Sequence, residues 1–470
     1  MEIDLDKLAR WLKRARWWPK DREVVSILDH EFYRDGEYLI LLIVDDNGYR
    51  YFVPLKKMHK DIHVSVPLEI NGDIYVEADL VEPFLLRARN IIDCEHLYIL
   101  PKCIFNKVEL LTDSSNVVTI ASSDKEGCRI VMKSYRLVST DRIELKIARY
   151  LMAKGFRYIP KMYSVCRYRG YTIGLSLEYV EGVNGGLPFY ESLLNLLRRG
   201  IESHIHDLDY SVGRTIAELH KVFALSDDTF FSSEPFTVED TELWGKRLEE
   251  IANMLLHNLD TLHTEDRVDG FWIEVVDKRI PVWIDRAFNA FAIFSETKKI
   301  LCHSDLHLGQ IVYSGNRGFT IVDFEGEPLF LSRDGYLKSH GFRDIASLIR
   351  SLDYILFAGV KEVYGMDIDS IAKKLAKYGW GEARKWRDAH ASSIVMSYIH
   401  NLARESLLEI VLGFRSIPRD LYRYITPWYI YRVFYEALYE SIYRPHNLPI
   451  PLHVLIWDPE DMVMGIGGGI

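Results

Sequence analysis

The chain has 470 residues, 48% of them apolar and 27% charged, which leaves room for two or three domains around a large core and excludes a disordered or fibrous chain. Its net charge of −10 argues against a general nucleic-acid binder. The longest apolar run, Leu39 to Val44, is too short to cross a bilayer, and the opening residues are acidic with no signal-type apolar core, so a cytoplasmic protein without membrane contact is expected.

Residues 1–86 open with a short helix through Leu8 to Leu12 and continue through strand-like segments near Val24 to Phe32, Tyr38 to Val44, Tyr49 to Val53 and Asp73 to Val76, a small β-rich cap. Residues 87–182 hold strands near Lys107 to Leu111, Asn116 to Ala121, Cys128 to Tyr135, Lys161 to Arg167 and Tyr171 to Tyr179. One helix, capped by Asp141 and running to Gly155, follows the third strand. Five strands with a helix after the third is the layout of a kinase N-lobe. Residues 183–470 are mostly helical and interrupted by one hairpin, as in a kinase C-lobe. The expected fold class is therefore α+β: bilobal and protein-kinase-like, with an extra N-terminal β-rich cap. No internal repeat or low-complexity linker divides it.

Five cysteines, Cys94, Cys103, Cys128, Cys166 and Cys302, show no C-x-x-C spacing, so reduced buried thiols are expected in place of a zinc site or a disulfide framework. Gln310 is the only glutamine in the chain. Such scarcity beside abundant Tyr, Arg, Lys and Glu fits a heat-adapted source, in which thermolabile amides are depleted.

That glutamine closes His303-Ser304-Asp305-Leu306-His307-Leu308-Gly309-Gln310, and Asp323-Phe324-Glu325-Gly326-Glu327-Pro328 follows after a hairpin whose turn is Ser314 to Gly318. A hairpin brings its far ends together, so Gln310 and Asp323 meet at the open end with Asp305 on the loop before it. Phosphoryl transfer needs one carboxylate to accept the hydroxyl proton and oxygen ligands to hold Mg2+ on the phosphates. Asp305 is the expected base, Gln310 and Asp323 the expected metal ligands, and ATP the expected donor.

Lys133 interrupts an apolar strand, where a charge is costly unless paired, and Glu144 early in the next helix is the expected partner. In kinases such a lysine holds the α- and β-phosphates while the helix glutamate orients it. No G-x-G-x-x-G loop is present. The turn with Ser114, Ser115 and Asn116 offers small polar groups to phosphate oxygens instead, and Glu178 to Val180 form the expected adenine hinge. Further on, Arg432, Glu436, Tyr439 and Tyr443 fall on one helix face, polar heads interleaved with rings as a sugar requires. Arg350 and Asp353, on one face of an earlier helix, either join that pocket or form a structural ion pair, and His303 is counted with the sugar-contacting residues.

Together these segments resemble the maltokinases, an aminoglycoside-phosphotransferase-like branch of kinases, over most of the chain. The resemblance rests on the two motifs around Asp305 and Asp323, including Gln310 where most kinases have Asn. It rests also on Arg343 to Tyr354, Gly213 to His220, Ala437 to Pro445 with Leu448 to Leu452, and the cap tryptophans Trp11, Trp17 and Trp18. It implies ATP- and Mg2+-dependent phosphorylation of a sugar, with maltose giving maltose 1-phosphate as the leading expectation and sugar-contacting tyrosines on the last helix. Maltokinases usually have Lys where this chain has Glu436, and a carboxylate there pairs with the ammonium of an amino sugar, so glucosamine or glucose is the alternative. An aminoglycoside or small-alcohol phosphotransferase ranks lower. A pseudokinase is disfavoured because the base and metal ligands are all present. A monomer or homodimer is expected.

Overall fold

The structure is a computed structural model that describes residues 3–457, apart from 20–21, 59–66, 89, 114–115, 125–126, 202–205, 331–336 and 380. Ser114 and Ser115, expected near phosphate, lie outside the described residues. The chain divides into two compact units, one of residues 1–152 with 159–180 and one of residues 153–158 with 181–470.

In the first unit, α1 (Leu5–Leu12) precedes β1 (Val24–Tyr33), β2 (Tyr38–Asp45), β3 (Arg50–Met58), β4 (Leu68–Ile70) and β5 (Asp73–Glu77). After α2 (Phe84–Arg87) and β6 (Asp93–His96) come β7 (Lys107–Asp113), β8 (Asn116–Ser122), β9 (Arg129–Ser139), α3 (Ile143–Ala153), β10 (Met162–Tyr168) and β11 (Tyr171–Glu178). β7, β8, β9, β11, β10 and β6 pair antiparallel in that order, and the cap strands join the same sheet where Tyr51 of β3 pairs with Leu137 of β9. β2 reads as an unbroken apolar run because both its faces are buried. Leu39, Leu41 and Ile43 pack with Trp11, Trp17 and Trp18, while Ile40 and Leu42 pack with Phe52 and Phe84.

Four of the five cysteines are not the reduced thiols expected from their spacing. Cys94 and Cys166 stand opposite each other on β6 and β10 and form a disulfide, and Cys103 forms another with Cys128. Their pairing follows from sheet register and loop return, which sequence spacing does not display. Cys302 alone remains a free, buried thiol.

The second unit carries a small sheet of β12 (Val183–Asn184), β15 (Ile311–Ser314) and β16 (Gly318–Ile321) and a short pair, β13 (Glu234–Pro235) with β14 (Lys298–Lys299). Its helices are α4 (Leu187–Arg199), α5 (His206–Ala224), α6 (Val238–Thr264), α7 (Gly270–Phe291), α8 (Phe342–Tyr364), α9 (Ile368–Tyr378), α10 (Gly381–Arg404), α11 (Leu408–Leu412), α12 (Tyr422–Tyr443) and α13 (Pro449–Leu452). α12 is apolar or aromatic on nearly every face and is correspondingly buried along most of its length, the pattern of a central helix. Gly182 enters the unit flat against β15, where an added Cβ would sit 2.3 Å from the Tyr313 carbonyl oxygen. No helix among the described residues is long and apolar enough to cross a membrane.

Arg136 on β9 is fully buried and ties the cap to the sheet. Its Nε meets Glu77 at 3.1 Å and its Nη1 meets Asp79 at 2.7 Å, while the indole of Trp17 also donates to Glu77 at 3.0 Å. Removing one member of such a buried set leaves uncompensated charge. Arg136→Met is therefore expected to cost about 3–5 kcal/mol of stability, read as a lowered urea midpoint. An unchanged midpoint would show that the cap is not held by this contact.

Candidate active site

The loop before the hairpin is held from behind by Asp344 at the start of α8. Its carboxylate accepts the His303 amide at 2.8 Å, the Ser304 amide at 2.9 Å and His220 Nε2 of α5 at 3.0 Å. The Tyr398 hydroxyl of α10 lies 2.8 Å from His220 Nδ1, so the imidazole is held between α10 and Asp344. Burial pushes the Asp344 carboxyl up, but these donors outweigh it and hold it below the ordinary carboxylate range. Gly341 makes the approach possible, since a Cβ there would sit 2.6 Å from the Tyr398 hydroxyl.

His303, expected at the sugar, is buried inside this scaffold. Its Nε2 donates to the Val322 carbonyl at 3.0 Å and its ring lies 4.7 Å from that of Phe324. It thereby ties the loop before the hairpin to the strand leaving it. Two non-glycine residues in the segment take left-handed backbone, Ser304 at φ 73° and Asp323 at φ 62°. Strained backbone of this kind persists where surrounding contacts over-determine it, commonly at functional sites.

The hairpin register pairs Ile311 with Ile321, and the Val322 amide bonds to the Gln310 carbonyl at 2.9 Å. Gln310 and Asp323 therefore meet at the open end, with Gln310 Nε2 3.2 Å from Asp323 Oδ2. An amide oxygen and a carboxylate are hard donors of the type Mg2+ takes, so this pair fits a magnesium ion completed by phosphate oxygens and water.

Asp305 is almost buried and its Oδ1 lies 2.8 Å from Arg432 Nη2 on α12. From there buried charges alternate in sign. Arg432 Nε meets Glu436 at 3.1 Å, Glu436 meets Arg350 Nε at 2.8 Å, Arg350 Nη1 meets Asp353 at 2.9 Å and Asp353 meets Arg387 Nε of α10 at 2.9 Å. Arg350 and Asp353 thus form the ion pair that was one of their two expected roles. Arg432 and Glu436 are each other's partners, and one face of α12 runs from these charges to half-buried Tyr439 and then to Tyr443, 59% exposed. The two tyrosine rings lie 4.8 Å apart.

In the first unit, Lys133 Nζ lies 2.9 Å from Glu144 Oε1, and the Tyr135 hydroxyl donates to the other glutamate oxygen at 2.6 Å. Lys133 and Glu144 are buried, so the expected pair is formed and desolvated. Asn116 is buried at the start of β8. Glu178 at the end of β11 accepts the Lys161 amide at 3.0 Å, and Val180 is the last residue of the unit. Sequence reasoning missed His220, Asp344, Glu327 and Arg387. The first two lie in segments that carried the family resemblance without a role for either residue, and a partner 124 residues away leaves no local signal.

No protein-family model matches the chain. A glucosamine kinase of Streptacidiphilus jiangxiensis is 24% identical over 243 residues, 51% of this chain and 46% of that enzyme, so the chain spans about half the length of the curated relative it matches. Among solved structures, a glucosamine kinase in complex with glucosamine, ADP and inorganic phosphate superposes with a TM-score of 0.61 at 17% identity, covering 96% of this chain and 98% of that one. A second glucosamine kinase structure, crystal form A, gives 0.63 at 16% identity and covers 96% of each chain. The likeness establishes the fold: this is the α+β, kinase-like fold expected from the sequence.

Burial pushes the Asp353 carboxyl up, but Arg387 and Arg350 outweigh it and lower the carboxyl to about 2. A carboxylate depressed on folding contributes stability that is complete above the unfolded value near 4 and is lost as pH falls toward 2, worth about 3 kcal/mol for a shift of this size. Asp353→Asn lacks that contribution. The stability gap between wild type and variant is expected to be widest at neutral pH and to close between about pH 4 and pH 2 in urea titrations. A gap that stays constant over that range would refute the assignment.

Proposed function

We propose that this chain is an ATP-dependent sugar kinase whose acceptor is an amino sugar of the glucosamine type, in preference to maltose. The observation that carries the phosphotransferase reading is the meeting of Gln310 and Asp323 at the hairpin mouth, on the same loop and hairpin that hold Asp305 in a single position. The acceptor is argued from the relatives. The curated relative and the two superposed structures named above are all glucosamine kinases.

Asp305 accepts the proton as the sugar hydroxyl oxygen attacks the γ-phosphorus; the bond from that phosphorus to the bridging oxygen breaks and ADP leaves. Arg432 holds Asp305 Oδ1, and the proton goes to Oδ2, which faces His307 Nε2 at 3.8 Å. Lys133, oriented by Glu144, contributes the cation for the α- and β-phosphates. Magnesium at Gln310 and Asp323 would neutralise charge on the phosphates. The pseudokinase alternative is not favoured, because base, metal ligands and lysine pair are all present with formed partners.

Glu436 already lies between two guanidiniums, so Glu436→Lys would bury a third cation beside Arg350 and Arg432 and destabilise the helix packing before it altered sugar choice. A panel of glucosamine, glucose and maltose with ATP and Mg2+ is the direct test, with glucosamine expected to give the highest kcat/KM. Preference for maltose would overturn the acceptor assignment. Asp305→Asn is expected to lower turnover by roughly 10²-fold or more with the fold intact, and Asp323→Ala to abolish Mg2+-dependent ATP use. Full activity in either variant would overturn the corresponding role.

A further inference from the structure

Glu327 shares its turn with Asp323 and is 2% exposed. Among the described residues, its hydrogen bonds and ion pairs all fall on one oxygen. Oε2 accepts the Tyr431 hydroxyl at 2.8 Å, pairs with Arg343 Nη2 at 2.8 Å and lies 3.8 Å from Arg247 Nη2. Oε1 is equally buried and has no partner among the described residues. A glutamate kept only to neutralise two arginines would present both oxygens, since the bidentate arrangement is the stronger one. Leaving a charged acceptor unmatched costs as much as a hydrogen bond and is rare in native interiors unless water or a ligand completes it.

Other polar atoms in the neighbourhood are unmatched in the same way: Arg247 Nε, Arg343 Nε and Arg432 Nη1 are buried without partners among the described residues. Their guanidiniums lie against aromatic rings, Arg247 at 4.1 Å from Phe330, Arg343 at 4.7 Å from Trp244 and Arg432 at 5.1 Å from Tyr435. Burial pushes the Tyr435 hydroxyl up, and the Glu327 and Asp305 charges add to that. Arg343 also donates to Ser304 Oγ at 3.1 Å, next to the base. An unfilled acceptor and unfilled donors, one of them on the arginine that bonds Ser304, complement a polyol, whose hydroxyls both donate and accept.

We propose that Glu327 is a sugar-recognition residue whose Oε1 accepts a hydrogen bond from a neutral hydroxyl of the acceptor sugar, one other than the hydroxyl that is phosphorylated. This rests on the sugar-kinase reading. A hydroxyl is assigned in place of the amino group because Arg343 and Arg247 already face this carboxylate, and an added ammonium would meet like charge.

The test compares wild type and Glu327→Gln on glucosamine, on glucose and on the monodeoxy analogues of each, with ATP and Mg2+. The variant is expected to lose about 10- to 100-fold in sugar kcat/KM, the range for a hydrogen bond to a charged group, with the KM for ATP unchanged. One deoxy analogue should lose as much in wild type and nothing further in the variant, and the loss should be the same for glucosamine and glucose. Unchanged kcat/KM in the variant, or equal losses against every deoxy analogue, would overturn the assignment. Should Glu327→Gln fail to fold, a crystal structure of wild type with glucosamine decides. A sugar hydroxyl oxygen within about 3.2 Å of Oε1 supports the assignment, and a water or the amino nitrogen there refutes it. A wild type that phosphorylates no sugar would instead refute the kinase reading and this inference with it.

Discussion

A line of buried charges of alternating sign, from Asp305 through Arg432, Glu436, Arg350 and Asp353 to Arg387, is the contact on which the proposed site in the second unit depends. Each carboxylate in the middle serves two guanidiniums. Desolvating so many ions is expensive, and their mutual attraction offsets that only when geometry is good and every member is present. Exchanging a whole set of this kind for apolar groups is often neutral, whereas removing one member is costly. What the set supplies is position: Asp305 sits on a loop, yet its carboxylate is fixed against α12, α12 against α8, and α8 against α10. A flexible loop carboxylate thereby acquires the rigidity of a helix core, which matters because misplacement by an ångström costs a proton-transfer step dearly.

A second set of contacts fixes the loop's backbone. Asp344 takes two successive amides, His303 bridges to the strand leaving the hairpin, and Ser304 is held in a left-handed conformation that it would not adopt unaided. Backbone scaffold and ion ladder act on adjacent residues from different helices. Asp305 is therefore positioned twice, once through its main chain and once through its carboxylate.

Much of this was legible from residue patterns. The apolar run of β2, the turn-bounded hairpin and the Lys133 and Glu144 pair were each read correctly because the signal is local or the chemistry permits few partners. The face of α12 was also read correctly, but periodicity identifies which residues share a face and not what the face meets. Arg432 and Glu436 looked like sugar contacts and proved to be bonded to each other, to Asp305 and to Arg350. The disulfides went unseen because Cys94 and Cys166 are 72 residues apart and meet through β6, a four-residue strand with little apolar character. Asp344 and Glu327 went unremarked for a related reason: a buried carboxylate gains its meaning from distant partners, and a sequence read alone does not bring those together.

The claim that the ladder positions the base is tested most directly by Glu436→Gln, which removes one charge from its middle while keeping size and shape. Glu436 touches Arg432 and not Asp305. Single-turnover phosphoryl transfer is the measurement, made on folded variant with saturating ATP and sugar. The rate is expected to be at least roughly tenfold lower, with the KM for ATP unchanged, because Arg432 no longer holds Asp305 in place. A transfer rate equal to wild type would contradict that positioning.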